Sequence, residues 1–280
     1  MSKTKEVLLP VHLNPKKRVS FWQGKKQIKY MQFLRKIRLP IIILFIWELS
    51  GLAGLVSETL LPRPDTVFRR FIELSMNGEL LRHFLVSLRR SMSGFFVGGF
   101  IALTAGILVG FFHKVEQSLD STLQMIRTIP TLAVLPLFIL WFGFGEFSKT
   151  LLIAKAAFFP IYVNTFLGIR GVDAKLLDVA KVLEFSKWKQ ITKLIIPSAM
   201  PNILLGIRLS LGAAWVALVG AELMGSSEGV GYMIVNARTF SRTDVIFVGI
   251  IIFALFGKVT DSLIRYLEKR LLKWRDSFQG

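Results

Sequence analysis

The sequence predicts an all-α membrane protein with about six transmembrane helices, and three observations lead to this prediction. Hydrophobic residues make up 52% of the 280-residue chain, and the mean hydropathy is +0.54. The apolar residues are concentrated in runs that suit a bilayer, which takes roughly 20 residues as a helix. The formal net charge of +18 lies mainly between those runs. This segregation is typical of a membrane protein and not of a soluble domain or a nucleic-acid binder.

The first 38 residues form a basic segment, with eleven lysines and arginines against one acid, Glu6. Such a segment could be a nucleic-acid arm, but an apolar run follows it at once. We therefore interpret 1–38 as the cytoplasmic flank of the first span. The run that follows contains Glu48 and no small-residue cleavage site, so we do not expect a cleaved signal peptide.

Six apolar runs follow one another along the chain. The third is short and begins at Ile129-Pro130, so we expect it to be kinked or partly buried between other helices. The six predicted spans are 39–56, 91–112, 129–144, 149–168, 203–223 and 244–264.

Lysine and arginine near the span ends predict the orientation, because these residues are enriched in cytoplasmic loops. With the N-terminus inside, the inside segments are 1–38, 113–128, 169–202 and 265–280, and the second half of the chain fits best. The membrane domain is therefore expected over 39–265, followed by a cytoplasmic tail over 266–280.

The outer segment 57–90 is the exception to this orientation, because it holds six arginines. Its apolar residues recur at helical spacing after Leu61-Pro62-Arg63-Pro64. We expect short amphipathic helices there, lying on the outer membrane surface.

Little in the sequence suggests catalysis or metal binding. The chain has no cysteine, and its three histidines, His12, His83 and His113, show no metal-ligand spacing. We therefore predict no thiolate nucleophile, no other catalytic residue, no metal site and no cofactor.

Residues 143–150, GFGEFSKT, resemble a phosphate-binding P-loop at first sight. Ser148 stands where the second glycine belongs, and no strand precedes the segment, although a P-loop joins a strand to a helix. The segment falls between the third and fourth spans. We interpret it as a tight turn, so the chain is predicted to have no ATP site of its own.

Small residues recur at every fourth position of the second span. This spacing lets another helix approach closely, and it predicts a multi-helix bundle or a dimer. The residues are Gly94, Gly98, Ala102, Gly106 and Gly110.

Polar side chains inside predicted spans are costly and are therefore candidates for a translocation path. Packing and interfacial anchoring are the alternatives. Arg208 and Glu222 are about 21 Å apart along one helix and cannot pair directly. The candidates are Glu48, Lys155, Asn164, Arg208 and Glu222.

The inside loop 169–202 contains two predicted helices. Leu176, Val179, Ala180 and Leu183 form one apolar stripe. A second helix is expected to begin at Ser186, an N-cap residue type, and to run to Ile196, where Pro197 ends it. The pair is either a surface element of its own bundle or a knob for a cytoplasmic partner.

This loop resembles the cytoplasmic EAA-x3-G-x9-I-x-LP loop of ATP-binding-cassette (ABC) importer permeases. Asp178-Val179-Ala180 stands at EAA, Glu184 at the glycine, and Ile195-Ile196-Pro197 near I-x-LP. The chain looks most like the permeases for alkanesulfonates, with those for taurine and nitrate close behind. Further stretches carry the resemblance: Leu61-Pro62-Arg63-Pro64 and residues 126–143, 159–170, 229–240 and 254–264.

The resemblance implies a type I ABC importer permease in a bacterial inner membrane, surrounded by lipid and acting as a homodimer. Two copies of a separate ATPase would dock on loop 169–202, hereafter the coupling loop, and a solute-binding protein would deliver a small anionic solute from outside. No nucleic-acid partner is expected. The implied coupling residues are Asp178, Val179, Ala180, Leu183, Glu184 and Pro197.

Two positions depart from the family pattern. Asp178 is shorter than the usual glutamate, and Glu184 replaces the glycine. A positive φ at Glu184 would cost roughly 1–2 kcal/mol. Either the turn differs here, or Glu184 bears the strain and contacts a partner.

Two rival functions belong to other classes. A self-contained channel or ion-coupled carrier predicts inverted repeats or broken polar helices, and the sequence shows no repeat. A membrane-anchored scaffold that uses 1–38 predicts that deleting this segment abolishes function. Within the permease function, taurine, nitrate or another small solute is the alternative to an aliphatic sulfonate.

Overall fold

The computed structural model describes residues 38–223 and 225–272, which are helical apart from turns and short connections. The predicted basic segment lies outside the described residues except for Arg38, and so does the predicted tail from residue 273 onward. The chain divides into two compact units at Asp65 and Thr66.

The first unit contains helix α1, which is described over residues 38–52 and covers most of the predicted first span. Its apolar side chains are largely exposed. The carboxylate of Glu48 accepts a hydrogen bond from the backbone N–H of Asp65 (3.3 Å). Within this unit, Glu48 therefore joins α1 to the end of the segment that follows it, through the backbone of Asp65.

The remaining helices follow in chain order. A 3₁₀ turn, Thr131–Val134, leads into α5, and a π-helical turn, Ile191–Ile195, joins α8 to α9. The helices are α2 (Pro64–Met76), α3 (Glu79–Phe111), α4 (His113–Thr128), α5 (Leu135–Phe142), α6 (Glu146–Arg170), α7 (Ala174–Val182), α8 (Lys187–Gln190), α9 (Ile196–Leu223), α10 (Val230–Thr239) and α11 (Thr243–Leu271).

Within the described residues, four helical stretches are long and apolar enough to cross a membrane. They are α3, α6, α11, and α8 with α9 as one stretch, Lys187–Leu223. α4 and Thr131–Phe142 are bent by 91° against each other, and the pair has the composition of a broken span or of a re-entrant loop. The described residues thus hold four spans, or five if this pair is one span, and with α1 the number is roughly consistent with the predicted six. The bend lies at Ile129-Pro130, where the residue before proline leaves the helical region. The predicted third span therefore begins at a kink, as expected.

The core of the second unit is the contact of α3 with α6. All five small residues of the α3 stripe are buried. A methyl group on Gly98 would lie 2.2 Å from the carbonyl oxygen of Ala154, and one on Gly94 would lie 2.5 Å from Cβ of Ile153. The two backbones are thus as close as glycine permits.

The prediction for the outer segment is only partly right. α2 follows Leu61-Pro62-Arg63-Pro64 as expected, but residues 79–90 are the first turns of α3 and not a separate surface helix. The break lies earlier, at Gly78, which has φ = 77°. After it, the apolar spacing runs without interruption into the predicted span, so one helix forms.

Pro197 does not end the helix that begins after Ser186, and that prediction is wrong. The helix passes through the π-helical turn and continues as α9 to Leu223. Proline lacks an N–H and pushes against the carbonyl four residues before it. The wider turn, in which the Ile196 N–H donates to the Ile191 carbonyl, lies directly before the proline and loosens the backbone there.

A hydrophobic cluster joins α2, the start of α3, α10 and the start of α11. α10 was not predicted, because only ten residues of it lie between glycine-rich and polar segments. The ion pair of Arg70 with Asp244 (2.6 Å) borders this cluster. Its buried residues are Val67, Leu74, Leu80, Val230, Met233, Ala237, Val245 and Val248.

Candidate functional site in the coupling loop and helix bundle

Helix α7 is anchored at one position and exposes its other apolar side chains. Asp173 caps its N-terminus by accepting a hydrogen bond from the Lys175 N–H (2.9 Å). Ala180 is buried, whereas Val182 is 83% exposed. The other three residues of the predicted stripe, Leu176, Val179 and Leu183, are also exposed. An apolar surface of this kind suits a partner better than water.

Glu184 adopts the left-handed conformation, with φ = 52°. Two backbone hydrogen bonds close the end of α7: the Glu184 N–H donates to Lys181 (2.9 Å), and the Phe185 N–H donates to Ala180 (2.9 Å). This pair defines a Schellman motif, whose left-handed position is usually glycine. The turn therefore has the glycine-type geometry, and Glu184 bears the strain.

Helix α8 extends the exposed surface. Ser186 accepts a hydrogen bond from the Lys189 N–H (3.3 Å) and so caps the helix, as predicted. Trp188 is 74% exposed, and Nζ of Lys189 lies 4.0 Å from the Phe185 ring centroid. Sequence reasoning missed Trp188, although a lone tryptophan between lysines is an unusual surface residue.

The remaining coupling residues lie on the same segment. Asp178 is exposed and pairs with Lys181 on its own helix (2.9 Å). Pro197 is half-buried at the start of α9. The exposed surface of α7 and α8 is therefore apolar at its centre, and the side chains around that centre are mostly basic.

A second polar site lies where the start of α6 meets α3 and the end of α9. Arg90 is 4% exposed and donates from Nη1 to Glu222 (2.9 Å) and from Nη2 to Glu146 (2.6 Å). Lys149 pairs with the same Glu146 (3.1 Å). We call Arg90, Glu146, Lys149 and Glu222 the charge cluster. Arg90, Lys149 and Glu222 are buried, and burial without partners would cost each of these charges several kcal/mol. Glu146 is half exposed.

Glu222 is also bound by neutral donors. Its carboxylate accepts hydrogen bonds from Ser87 Oγ (2.8 Å) and from the Gly231 N–H (2.9 Å). Gly229 has φ = 116°, and a methyl group there would lie 2.3 Å from the carboxylate. The cluster therefore holds the segment between α9 and α10 against α3.

The other candidates from the sequence are separated from one another. Lys155 Nζ donates to the Ile129 carbonyl at the bend (2.9 Å), and Asn164 donates to the Pro160 carbonyl one turn earlier (2.8 Å). Arg208 Nε donates to Asp261 of α11 (2.8 Å). In the described chain, no hydrogen bond or ion pair joins Lys155, Asn164, Arg208 and Glu222 to one another, and Glu48 belongs to the first unit.

Three members of the charge cluster were missed from the sequence. Arg90 lies one residue before the predicted second span, and Glu146 and Lys149 lie in or beside the turn 145–148. The sequence does indicate such a cluster, because six arginines in an outer segment are expected to have acidic partners. Hydropathy alone cannot say which of them is buried.

The GFGEFSKT segment is a turn, as predicted. Gly143 has φ = 76°, and α6 begins at Glu146. Ser148 Oγ donates to the Gly143 carbonyl (2.5 Å), so its hydroxyl is used within the turn, and Lys149 is paired. Residues 38–223 and 225–272 contain no group of acids or histidines suited to a metal ion.

Comparison with known proteins gives a consistent result. The model of the family described as binding-protein-dependent transport system inner membrane component matches residues 98–273. A Bacillus subtilis permease named for aliphatic sulfonates transport is 58% identical over 257 residues, which cover 92% of each chain. An Escherichia coli protein of the same name is 40% identical, over 86% of this chain and 91% of its own.

Two more distant matches extend the comparison. A taurine transport system permease protein of Escherichia coli is 33% identical over 85% of this chain and 88% of its own. Among solved structures, an inward-facing form of the MetNI methionine ABC transporter matches with a TM-score of 0.56 at 16% identity. That match covers 69% of this chain and 97% of the other, and it supports the helical architecture.

Proposed function

Because the chain belongs to the family of binding-protein-dependent transport system inner membrane components, and so is the multi-pass membrane permease of an ABC importer, we propose that its solute is an aliphatic sulfonate. The observation that carries the proposal is the 58% identity, over 92% of both chains, to a permease named for aliphatic sulfonates. Similarity at this level extends through the spans as well as the coupling loop.

We further propose that the exposed surface of α7 and α8 binds a separate cytoplasmic ATPase. Apolar side chains at Val179, Val182, Leu183 and Trp188 would bury in a cleft of that partner, and the lysines around them would meet its rim. Asp178, Ala180 and Glu184 shape the helix and its end, and Pro197 connects it to α9.

The proposed cycle follows from this contact. ATP binds to the partner, since GFGEFSKT is a turn with its serine and lysine already hydrogen-bonded. Closure of the ATPase pair moves α7 and α8, which join α9 through the π-helical turn. Two copies of the permease would enclose the path, with a solute-binding protein on the outer side and both termini in the cytoplasm.

The substrate is tested by growth. A strain in which this chain is deleted is supplied with hexanesulfonate, taurine or sulfate as the only sulfur source. We expect no growth on hexanesulfonate, normal growth on sulfate, and recovery when the chain is restored. Normal growth of the deletion strain on every alkanesulfonate would overturn the proposal, after a check that no second uptake system is present.

Taurine is a second candidate solute, since the taurine permease is 33% identical over 85% of this chain. Taurine carries an ammonium group that an alkanesulfonate lacks. Loss of growth on taurine alone, with growth on hexanesulfonate kept, would favour this candidate.

A further inference from the structure

A cleft of about 510 Å³ lies between α9 and α11. Apolar side chains form most of its wall, among them Leu205, Leu209 and Trp215. Arg208, Thr260 and Asp261 supply its polar groups. A mostly apolar cavity of this size with a few polar groups at one place is typical of a small-molecule site.

The guanidinium of Arg208 is held in place through Nε, and its other N–H groups remain available to a ligand. Its Nε is bound to Asp261 Oδ1 (2.8 Å), whose other oxygen accepts from Arg265 Nε (2.9 Å). Glu268 lies 3.8 Å from Nη1, which is within ion-pair distance but too far for a hydrogen bond. Within the described part of the chain, Nη2 makes no hydrogen bond, and the side chain is 30% exposed.

The ligand that fits has an oxyanion at one end and an aliphatic tail at the other. A guanidinium with its Nε fixed presents the remaining N–H groups as a fork, which matches two oxygens of an oxyanion. The Thr260 hydroxyl lines the same cleft and can add a hydrogen bond. The leucines and Trp215 offer apolar surface to a short alkyl chain.

We propose that this cleft is a binding site for the transported alkanesulfonate, with the sulfonate on Arg208 and the alkyl chain along Leu205, Leu209 and Trp215. The inference rests on the proposed function, because it takes aliphatic sulfonates as the solute. It adds a specificity-determining site within the permease itself, beyond any selection by the solute-binding protein.

Chain-length preference is the first test. Gly212 lines the cleft, and nothing lies within 4 Å of a Cβ built there, so a larger residue is accommodated but takes up cleft volume. We expect Gly212→Leu to raise KM for hexanesulfonate about tenfold or more, and to change KM for methanesulfonate little. Val216→Leu, one turn further along α9 and outside the cleft, is the matched control and should leave both unchanged.

The measurement is ATP-driven uptake of linear alkanesulfonates by the complete importer in proteoliposomes. One solute-binding protein is used for all variants, so a changed preference can arise only in the permease. A merely structural role of Gly212 would lower uptake of every sulfonate by the same factor and would overturn the proposal.

The anion end is tested separately. Arg208→Gln removes the charge, and we expect KM to rise about tenfold or more for all chain lengths, since a hydrogen bond to a charged group is lost. Arg208→Lys keeps the charge without the fork and should recover part of the loss. Equal KM values for the wild type and Arg208→Gln would overturn the assignment.

Two further outcomes separate this site from its alternatives. In the first outcome, uptake depends on the phosphatidylglycerol content of the vesicles, and Gly212→Leu has the same chain-length preference as the wild type. The cleft then holds an anionic lipid, and the proposal fails. If the wild-type complex transports no alkanesulfonate at all, the proposed function fails together with this site. A wild type that transports normally, with unchanged preference in Gly212→Leu, refutes only the site.

Discussion

At the scale of single residues, Glu184 occupies a backbone conformation that its own side chain disfavours. Its φ of 52° lies in the left-handed region, where a non-glycine residue costs roughly 1–2 kcal/mol. The Schellman hydrogen bonds of α7 hold it there. A strained residue on an exposed surface suggests that its side chain serves a contact outside the chain.

We therefore expect Glu184→Gly to stabilise the purified permease by about 1 kcal/mol while weakening ATPase binding. Glycine removes the strain, and the carboxylate is lost from the surface. Thermal unfolding gives the first quantity, and co-purification of the ATPase gives the second. A variant that is more stable and binds the ATPase as well as the wild type does would show that Glu184 makes no contact. Glu73→Ala, on the exposed face of α2 and away from α7 and α8, is the control for loss of a surface charge.

The charge cluster leads to a second prediction at this scale. Glu222→Ala leaves buried Arg90 with only one of its two carboxylates, and a buried ion that loses its partner costs roughly 3–5 kcal/mol. We expect a lower melting temperature and less protein in the membrane. Glu222→Gln keeps the shape and should be milder. Exposed Glu73, which pairs with Arg70, is the control, since Glu73→Gln should change little.

The polar residues differ in how far the sequence predicts them. Lys155, Asn164, Arg208 and Glu222 are identifiable because each interrupts an apolar run, where an ionisable or amide group is conspicuous. Their partners are not identifiable from the sequence, because they are distant along the chain. Asp261 lies 53 residues from Arg208, and Arg90 lies 132 residues from Glu222. Only tertiary packing decides which acid meets which base.

At the scale of elements, the α3–α6 contact depends on the absence of side chains. A Cβ at Gly98 would overlap the backbone of Ala154, which cannot rotate away. We expect Gly98→Ala to separate the helices and to destabilise the protein by about 1–3 kcal/mol, measured by thermal unfolding in detergent. Gly212→Ala, inside α9, should not lower stability, because nothing lies within 4 Å of a Cβ there.

The exposed face of α7 gives the prediction for coupling. Val182→Asp and Leu183→Asp alter side chains that touch little of the described chain, so the permease should still insert and fold. We expect ATPase co-purification and solute uptake to fall at least about tenfold, since a charge placed in an apolar contact is poorly tolerated. Thr239→Asp, on the exposed face of α10, is the control. Unchanged uptake in the α7 variants would contradict the coupling role.

Periodicity predicts elements well where one face is buried and the helix is long. It finds α6, α7, α9 and α11. It fails at the helix ends: α3 starts after Gly78, well before the predicted span, and α9 passes Pro197 because a π-helical turn loosens the backbone before it. These outcomes depend on local backbone geometry that residue type alone does not specify.

At the scale of the whole molecule, the chain offers a direct test of its orientation. It contains no cysteine, so single cysteines can be introduced without background. We expect Lys187→Cys to react with a membrane-impermeant maleimide only after the cytoplasmic side is opened, and Arg238→Cys to react in intact cells. The reverse pattern would place α7 and α8 outside and contradict the proposed ATPase contact.

The charge cluster also sets an order of events during synthesis. Arg90 leaves the ribosome 56 residues ahead of Glu146 and 132 residues ahead of Glu222. In the interval α3 carries a guanidinium whose carboxylate partners do not yet exist. Arg90 therefore gains its carboxylate partners in two stages, first Glu146 at the start of α6 and then Glu222 at the end of α9. A chain that stops before α9 therefore leaves Arg90 without one of its two carboxylates, whereas a chain that reaches α10 supplies both.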